Sequence, residues 1–354
     1  MPQKPFEPTL VEYMTAPPDS DIPLVGEQLE ASLPASMWFY LALAILLYFV
    51  IRSYREKQQV DNLREKHVFI TGCDSGFGNQ LARQLDAQGL CVLAACLTQK
   101  GAQQLERLTS DRLKTTLLDV TSSESIEAAT AWVKECVGNK GLWGLVNNAG
   151  IVHPISPNEW LTKEDYMKVL NVNLIGLIDV TLHMLPLVKK ARGRVVNMSS
   201  IVGRLSTMGG GYCLSKYGVE AFSDSLRREI HSFGVKVAII EPGYFRTSMT
   251  DIQKTLECME QQWIKAPEEI KESYGQPYFD AFCEMIKVQL ATRCCTDLYK
   301  VTDCMEHALI SKYPYTRYSA GWDSRWIFVP LSYLPTSVVD FVLTRSYPKP
   351  AQAL

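Results

Sequence analysis

The chain has 354 residues, enough for one large or two small domains with a full hydrophobic core. Its formal net charge of −2 leaves no basic field for nucleic acid and no strongly charged partner surface. Ten scattered cysteines without a C-x-x-C pair, and only five histidines, argue against a zinc or other metal centre. Free thiols on core strands are the expectation, and they point to a reducing environment.

In chain order, residues 1–32 are rich in Pro, Glu and Asp without periodicity, so the first 36 residues read as a disordered extension. Every residue from 37 to 51 is apolar or aromatic. That run is slightly short for a bilayer span, but residues 33–36 can lengthen it, and Trp38, Tyr40 and Tyr48 suit interfacial depth. Residues 37–52 are expected to be a membrane anchor, with a buried soluble helix as the competing reading. Arg52, Arg55 and Lys57 follow the apolar run, which argues against a cleaved signal peptide and favours a cytoplasmic location for the following domain. A chain beginning at Met37 would start directly with this helix, which makes residues 1–36 an optional extension.

From Lys66 the pattern alternates. Strand-like runs at 67–71, 90–96, 113–119, 142–147, 193–198 and 235–240 are separated by helical stretches such as 122–137 and 163–191. This predicts an α/β fold: a Rossmann-type doubly wound parallel sheet in one domain, residues 64–320, with ligands beyond the carboxyl ends of the strands. The first run leads into Thr71-Gly72-Cys73-Asp74-Ser75-Gly76-Phe77-Gly78. Glycines let the backbone turn sharply and approach a phosphate, and the helix that follows offers free N–H groups and a positive dipole end. Thr71, Gly72, Ser75, Gly76, Phe77 and Gly78 are the candidate cofactor contacts; an ordinary turn is the alternative.

The remaining polar motifs fall at predicted strand ends. Asp119 is placed to accept from an adenine amino group, or to cap the next helix. Asn147-Asn148-Ala149-Gly150 combines small residues that allow close approach with amides that brace loops, making Asn147, Ala149 and Gly150 candidates; a plain Asn/Gly turn competes. Asn173 is a mediocre helix former inside an apolar helix, and a surface position is its bland reading. Asn197-Met198-Ser199 is a glycosylation triplet, discounted because its strand is expected to be buried.

Ser199 and Ser200 close that strand, and Tyr212 follows twelve residues after Ser200. Tyr212 and Lys216 share a helix face. A nearby ammonium lowers a phenol from its usual pKa of about 10 and makes Tyr212 a candidate general acid/base for an alcohol or carbonyl. Ser200 can hold the substrate oxygen. A lone Y-x-x-x-K is weak; following the glycine turn, the Asn-Asn-Ala-Gly motif and Ser200, it is strong. Pro242-Gly243 turns the chain after the sixth strand, and Thr247 is placed to contact a cofactor amide or phosphate; a simple turn competes.

Residues 245–300 are expected to form a substrate lid. Leu256, Met259 and Trp263 share a helix face, and Tyr274, Tyr278, Phe279 and Phe282 follow. An apolar lid suits a sterol or retinoid, with simple core packing as the competing reading. The tail, residues 321–354, is apolar between 326 and 342 but broken by Pro330 and Pro335, and reads as a membrane-surface contact or substrate-access region.

Together, Thr71-Gly72-x-x-x-Gly76-x-Gly78, Asn147-Asn148-Ala149-Gly150, Ser200, Tyr212-x-x-x-Lys216 and Pro242-Gly243 resemble the short-chain dehydrogenase/reductase family over roughly residues 64–320. Gly141-Leu142-Trp143-Gly144 and Arg317-Tyr318-Ser319-Ala320-Gly321-Trp322-Asp323 resemble its microsomal retinol and hydroxysteroid dehydrogenase branch. The resemblance implies Tyr212 as proton acceptor, Lys216 on the nicotinamide ribose, Ser200 orienting substrate and Asn173 holding a relay water. The family more often spaces the serine thirteen residues before the tyrosine, which fits Ser199; Ser200 is preferred because the branch shares the shortened loop, and Ser199 stays open. The second strand ends in Ala95-Cys96-Leu97-Thr98, without an acid to read a ribose. Asp74 would repel a 2′-phosphate if it faces the adenosine side, and Lys100 would attract one. NAD is the expected cofactor, with NADP the less favoured alternative.

The expected activity is oxidation of lipophilic alcohols, 3α/17β-hydroxysteroids first and all-trans-retinol as the alternative, at the endoplasmic reticulum membrane. Expected partners are a steroid or retinoid and membrane lipid, without nucleic acid; a homodimer is an assembly the chain allows. A nucleotide-sugar epimerase shares Y-x-x-x-K, but its usual G-x-x-G-x-x-G and larger C-terminal domain are absent from this sequence. An NAD-binding membrane scaffold would not require the intact Ser, Tyr and Lys.

Overall fold

The structure, a computed structural model, describes residues 35–353, so residues 1–34 of the expected extension lie outside it. The described residues fall into two units, divided between Tyr54 and Arg55. In the first, helix α1 (Ala35–Glu56) starts two residues ahead of the apolar run. Its side chains from Met37 onward are exposed, and it is long and apolar enough to cross a membrane. An all-apolar exposed surface is what a lipid-facing helix requires and a soluble core helix lacks.

The second unit is built on seven parallel strands: β1 (His67–Thr71), β2 (Cys91–Cys96), β3 (Leu113–Leu117), β4 (Gly144–Asn147), β5 (Arg194–Met198), β6 (Lys236–Pro242) and β7 (Arg317–Ala320). Their order is β3-β2-β1-β4-β5-β6-β7, the doubly wound arrangement, with the switch point between β1 and β4. Helices α2 (Gly76–Ala87), α3 (Gln99–Glu106), α4 (Ser123–Val137), α5 (Lys163–Leu170), α6 (Gly176–Ala191) and α7 (Gly211–Glu229) alternate with the first six strands. Helices α8 (Ile252–Lys265), α9 (Glu268–Tyr274) and α10 (Gln276–Arg293) lie in the stretch expected to form the lid; α11 (Tyr299–Ile310), α12 (Val329–Leu331) and α13 (Thr336–Thr344) complete the unit.

Both faces of the sheet are covered, which is why its strands read as apolar runs. On β1, Val68 and Ile70 pack with α2, α3 and α11, while Phe69 packs with α4 and α6 on the opposite face. Asn197 is fully buried on β5, in accord with the discounted glycosylation triplet.

Two elements depart from expectation. Strand β7 was not foreseen, because Arg-Tyr-Ser-Ala has no apolar run; pairing with β6 and burial of Tyr318 and Ala320 make it a strand. The helix expected over 163–191 is interrupted by a π-turn at Asn171–Ile175, between α5 and α6. Such turns concentrate at functional sites.

Candidate functional site

A cavity of about 470 Å³ lies at the carboxyl ends of the strands. The glycine turn forms one end. Gly72 and Gly76 have φ of +70° and +64°, a region glycine enters without strain, and a Cβ on Gly72 would sit 2.8 Å from Ala149 Cα. Gly78 lies against the Gly72 carbonyl, where a Cβ would approach to 2.4 Å. The turn is held by Asn148, whose amide donates to the Thr71 and Gly72 carbonyls at 2.9 and 3.0 Å. Ser75 precedes α2 without a side-chain cap, so the uncapped helix start on the cavity wall is suited to an anion. These features fit a dinucleotide pyrophosphate.

Asp74 brings a carboxylate from this turn to the end of β2. It accepts from Leu97 N at 2.7 Å, Thr98 N at 2.9 Å and Thr98 Oγ1 at 2.7 Å. β2 has no acid of its own there, and the loop supplies one across space.

Elsewhere on the wall, Tyr212 lies beside Ser200, whose Oγ donates to the Pro242 carbonyl at 3.4 Å, and stands one helical turn before Lys216 on α7. Lys216 is 3% exposed; its Nζ donates to the Met198 carbonyl at 2.8 Å and lies 5.5 Å from the Tyr212 ring centre. Burial pushes the Tyr212 phenol up, and the Ser200 hydroxyl beside it partly opposes this. Burial lowers Lys216 to about 8, while the Glu220 charge acts in the opposite direction. The expected depression of Tyr212 by Lys216 is therefore not what this geometry gives: desolvation dominates and the ammonium donates to the Met198 carbonyl. Ser199 turns away, its Oγ donating to the Lys216 carbonyl at 3.4 Å, so of the two serines Ser200 is the one beside the phenol.

Most candidates named from sequence line this one cavity: Gly72, Ser75, Gly76, Phe77, Asp119, Ala149, Gly150, Ser200, Tyr212, Lys216, Pro242, Gly243 and Thr247. Thr71, Gly78, Asn147 and Asn173 are not on its wall. Thr71 Oγ1 accepts from Asn148 N and Ala149 N at 3.0 Å each. Asn147 is buried in the sheet and donates to Thr181 and Asn197 at 2.8 Å each, so its expected cofactor contact is corrected to a core role; its neighbour Asn148 reaches the cavity. Adjacent strand residues face opposite ways, which sequence motifs do not resolve. Asn173 is fully buried, not at the surface: its amide accepts from Ile151 N at 2.8 Å and donates to Ile151 O at 2.8 Å and Ser215 Oγ at 3.1 Å, tying the loop after β4 to α7.

Asp119 lies two residues beyond β3, accepting from Thr121 N at 2.9 Å and Thr121 Oγ1 at 2.7 Å. Helix α4 is capped by Ser122 instead, which sets the capping alternative aside. Gly243 is pressed against Asp323, whose carboxylate would lie 2.2 Å from a Cβ there and accepts from Tyr244 N at 2.8 Å.

The lid aromatics do not face the cavity. Met259, Trp263, Tyr278, Phe279 and Phe282 pack around Trp160 as the lid's own core, the competing reading of that stripe. Helices α8 and α10 contribute Thr255, Ile286, Gln289 and Leu290 to the cavity wall, and the stretch before them contributes Phe245 and residues 247–250. From the tail, Phe328, Leu331 and Val339 pack with Ile201, Val202 and Cys213, with Tyr212 against the same cluster. Trp322, Trp326, Tyr333 and Phe341 remain exposed, each by more than half, with Trp326 at 65% the least.

A family model described as short chain dehydrogenase matches residues 66–257. Among curated proteins, 17-beta-hydroxysteroid dehydrogenase type 6 of Homo sapiens is 65% identical over 318 residues, covering 90% of this chain and 100% of its own length. Retinol dehydrogenase 16 of Homo sapiens is 59% identical over 318 residues with the same coverage, 90% and 100%. Among solved structures, a short-chain dehydrogenase from Streptomyces avermitilis superposes with a TM-score of 0.62 at 26% identity, covering 79% of this chain and 96% of that one.

Proposed function

The chain belongs to the short-chain dehydrogenase family, oxidoreductases that hold a nicotinamide dinucleotide, and from that premise we propose that it oxidises lipophilic secondary alcohols, 3α- and 17β-hydroxysteroids first, with NAD. The observation that carries this reading is the half-buried Tyr212 one helical turn from the buried Lys216 and beside Ser200, in the same cavity as the uncapped start of α2. A dinucleotide with its pyrophosphate at that turn would supply the hydride acceptor through its oxidised nicotinamide. The chain's own residues do the rest. Ser200 donates to the alcohol oxygen and orients it; Tyr212 takes the hydroxyl proton; Lys216 would hold the ribose. Asn173, on the π-turn, would hold a proton-relay water. Because burial keeps the phenol protonated, its proton-accepting form grows as pH rises, and oxidation gains with pH. The remaining cofactor contacts are Gly72, Ser75, Gly76, Phe77, Asp119, Ala149, Gly150, Pro242, Gly243 and Thr247. NAD is favoured over NADP because Asp74 sets a negative charge at the end of β2, where a 2′-phosphate would lie.

Steroid is favoured over retinol because the relatives named for hydroxysteroids match at higher identity, 65% against 59%. All-trans-retinol is the alternative. Helix α1 would anchor the protein in the endoplasmic reticulum membrane, and the exposed aromatics of the tail suit the bilayer surface. The test is a cofactor-reduction assay on microsomes carrying the chain, with 3α- and 17β-hydroxysteroids and retinol as substrates. NADH is expected with the hydroxysteroids, and Tyr212→Phe should abolish turnover while sparing NAD binding. Faster turnover of retinol would transfer the assignment to the alternative, and no turnover with any of them would end it.

A further inference from the structure

We infer that Gln289 is a specificity-determining residue, which lets this site prefer an alcohol bearing a second oxygen at its far end over one whose far end is hydrocarbon. The inference rests on the proposed oxidation of lipophilic alcohols and divides its two substrate classes. Helix α10 presents two faces. Tyr278, Phe279 and Phe282 are buried in the lid core, while Ile286, Gln289 and Leu290, three and four residues apart, line the cavity.

Between two aliphatic residues, the half-buried Gln289 lines the cavity and carries an amide with two donors and an acceptor. The amide makes no hydrogen bond among the described residues, whereas three hydroxyls of the 248–255 stretch on this wall are taken. Thr250 Oγ1 donates to the Phe245 carbonyl at 2.8 Å, Thr255 Oγ1 donates to the Asp251 carbonyl at 2.7 Å, and Ser248 Oγ pairs with Ser75 Oγ at 3.3 Å. Among these lid groups Gln289 is the one left to meet substrate.

An apolar substrate filling the cavity would strip water from that amide and give nothing back, which is costly for a polar group. A steroid oxygenated at both ends of its rigid skeleton supplies a partner. Retinol has its single oxygen at the reacting end and a hydrocarbon ring at the other, and supplies none. One polar side chain thus separates the classes by recognition and by the cost of leaving it unpaired.

The test uses the full chain in microsomes and a matched pair: a 3α-hydroxysteroid with oxygen at C17, as hydroxyl or ketone, and the same skeleton with none. In the unaltered chain the oxygenated substrate should have the higher kcat/KM. Gln289→Leu should lower that value about ten-fold, through KM, and leave the C17-unsubstituted analogue within about two-fold. Gln289→Glu keeps an acceptor and loses both donors, so the 17-hydroxyl substrate should be retained and the 17-ketone lost. An unchanged ratio of the matched pair in Gln289→Leu, with the analogue still turned over, overturns the inference. Should Gln289→Leu lose both substrates, Gln289→Glu decides, and an unchanged ketone-to-hydroxyl ratio overturns it. If the unaltered chain turns over neither substrate, the proposed function has failed and not the role of Gln289 within it.

Discussion

At the scale of single residues, Asp74 carries charge from one element to another. Its position is on the glycine turn in sequence, yet its carboxylate ends at Leu97 and Thr98, beyond β2. Two like charges about 5 Å apart at an effective dielectric near 20 repel by roughly 3 kcal/mol, more than enough to set a cofactor preference even after screening. Asp74→Ser keeps a small polar group and removes the charge. We expect it to narrow the NAD preference by about ten-fold, chiefly by tighter NADP binding, read from the two dissociation constants. An unchanged ratio would assign the preference elsewhere. Asn147 and Asn148 teach the same lesson: they are adjacent, one braces the sheet and the other holds the glycine turn. Sequence supplied both names, and only the pleat distinguished them.

At the scale of elements, β7 and α7 meet through buried charges. Arg317 on β7 donates to Glu220 at 2.9 Å and pairs with Asp224 at 3.1 Å, while Glu241 on β6 is fully buried between Arg204 and Arg317. Burial, and then the Glu241 charge, raise Glu220 from the ordinary carboxylate range to about 7, against the pull of Arg317. An acid whose folded value is raised stabilises the fold at low pH, and this contribution is lost as pH rises through the folded value. The window here runs from about 4.5, the ordinary value, to about 7. Glu220→Gln removes the titration. Relative to Glu220→Gln, the unaltered protein should lose on the order of 1 kcal/mol of stability between pH 5 and pH 7, measured by thermal unfolding of the full chain in detergent. Parallel pH profiles for the two would show that Glu220 does not titrate there.

At the scale of the whole molecule, the two units make separable claims. Removing residues 1–54 takes away the apolar stretch of α1 and leaves the unit that contains the cavity. The truncated protein should keep NAD binding and become extractable from membranes by alkaline carbonate. It should still sediment with lipid vesicles through Trp322, Trp326, Tyr333 and Phe341. Carbonate resistance after truncation would remove α1 as the anchor, and complete loss of vesicle binding would remove the tail as a bilayer contact.

The sequence by itself determined the alternation of strands and helices, the glycine turn, the Tyr212–Lys216 pair and the apolar helix, because each is a pattern within a few consecutive residues. Tertiary structure alone decided what depends on contacts between distant segments. It placed Asp74 at β2, made a strand of residues 317–320, turned the lid aromatics inward and left Gln289 facing the cavity. Periodicity reports which residues share a face of one element; which partner that face meets is set by packing, and packing is not local.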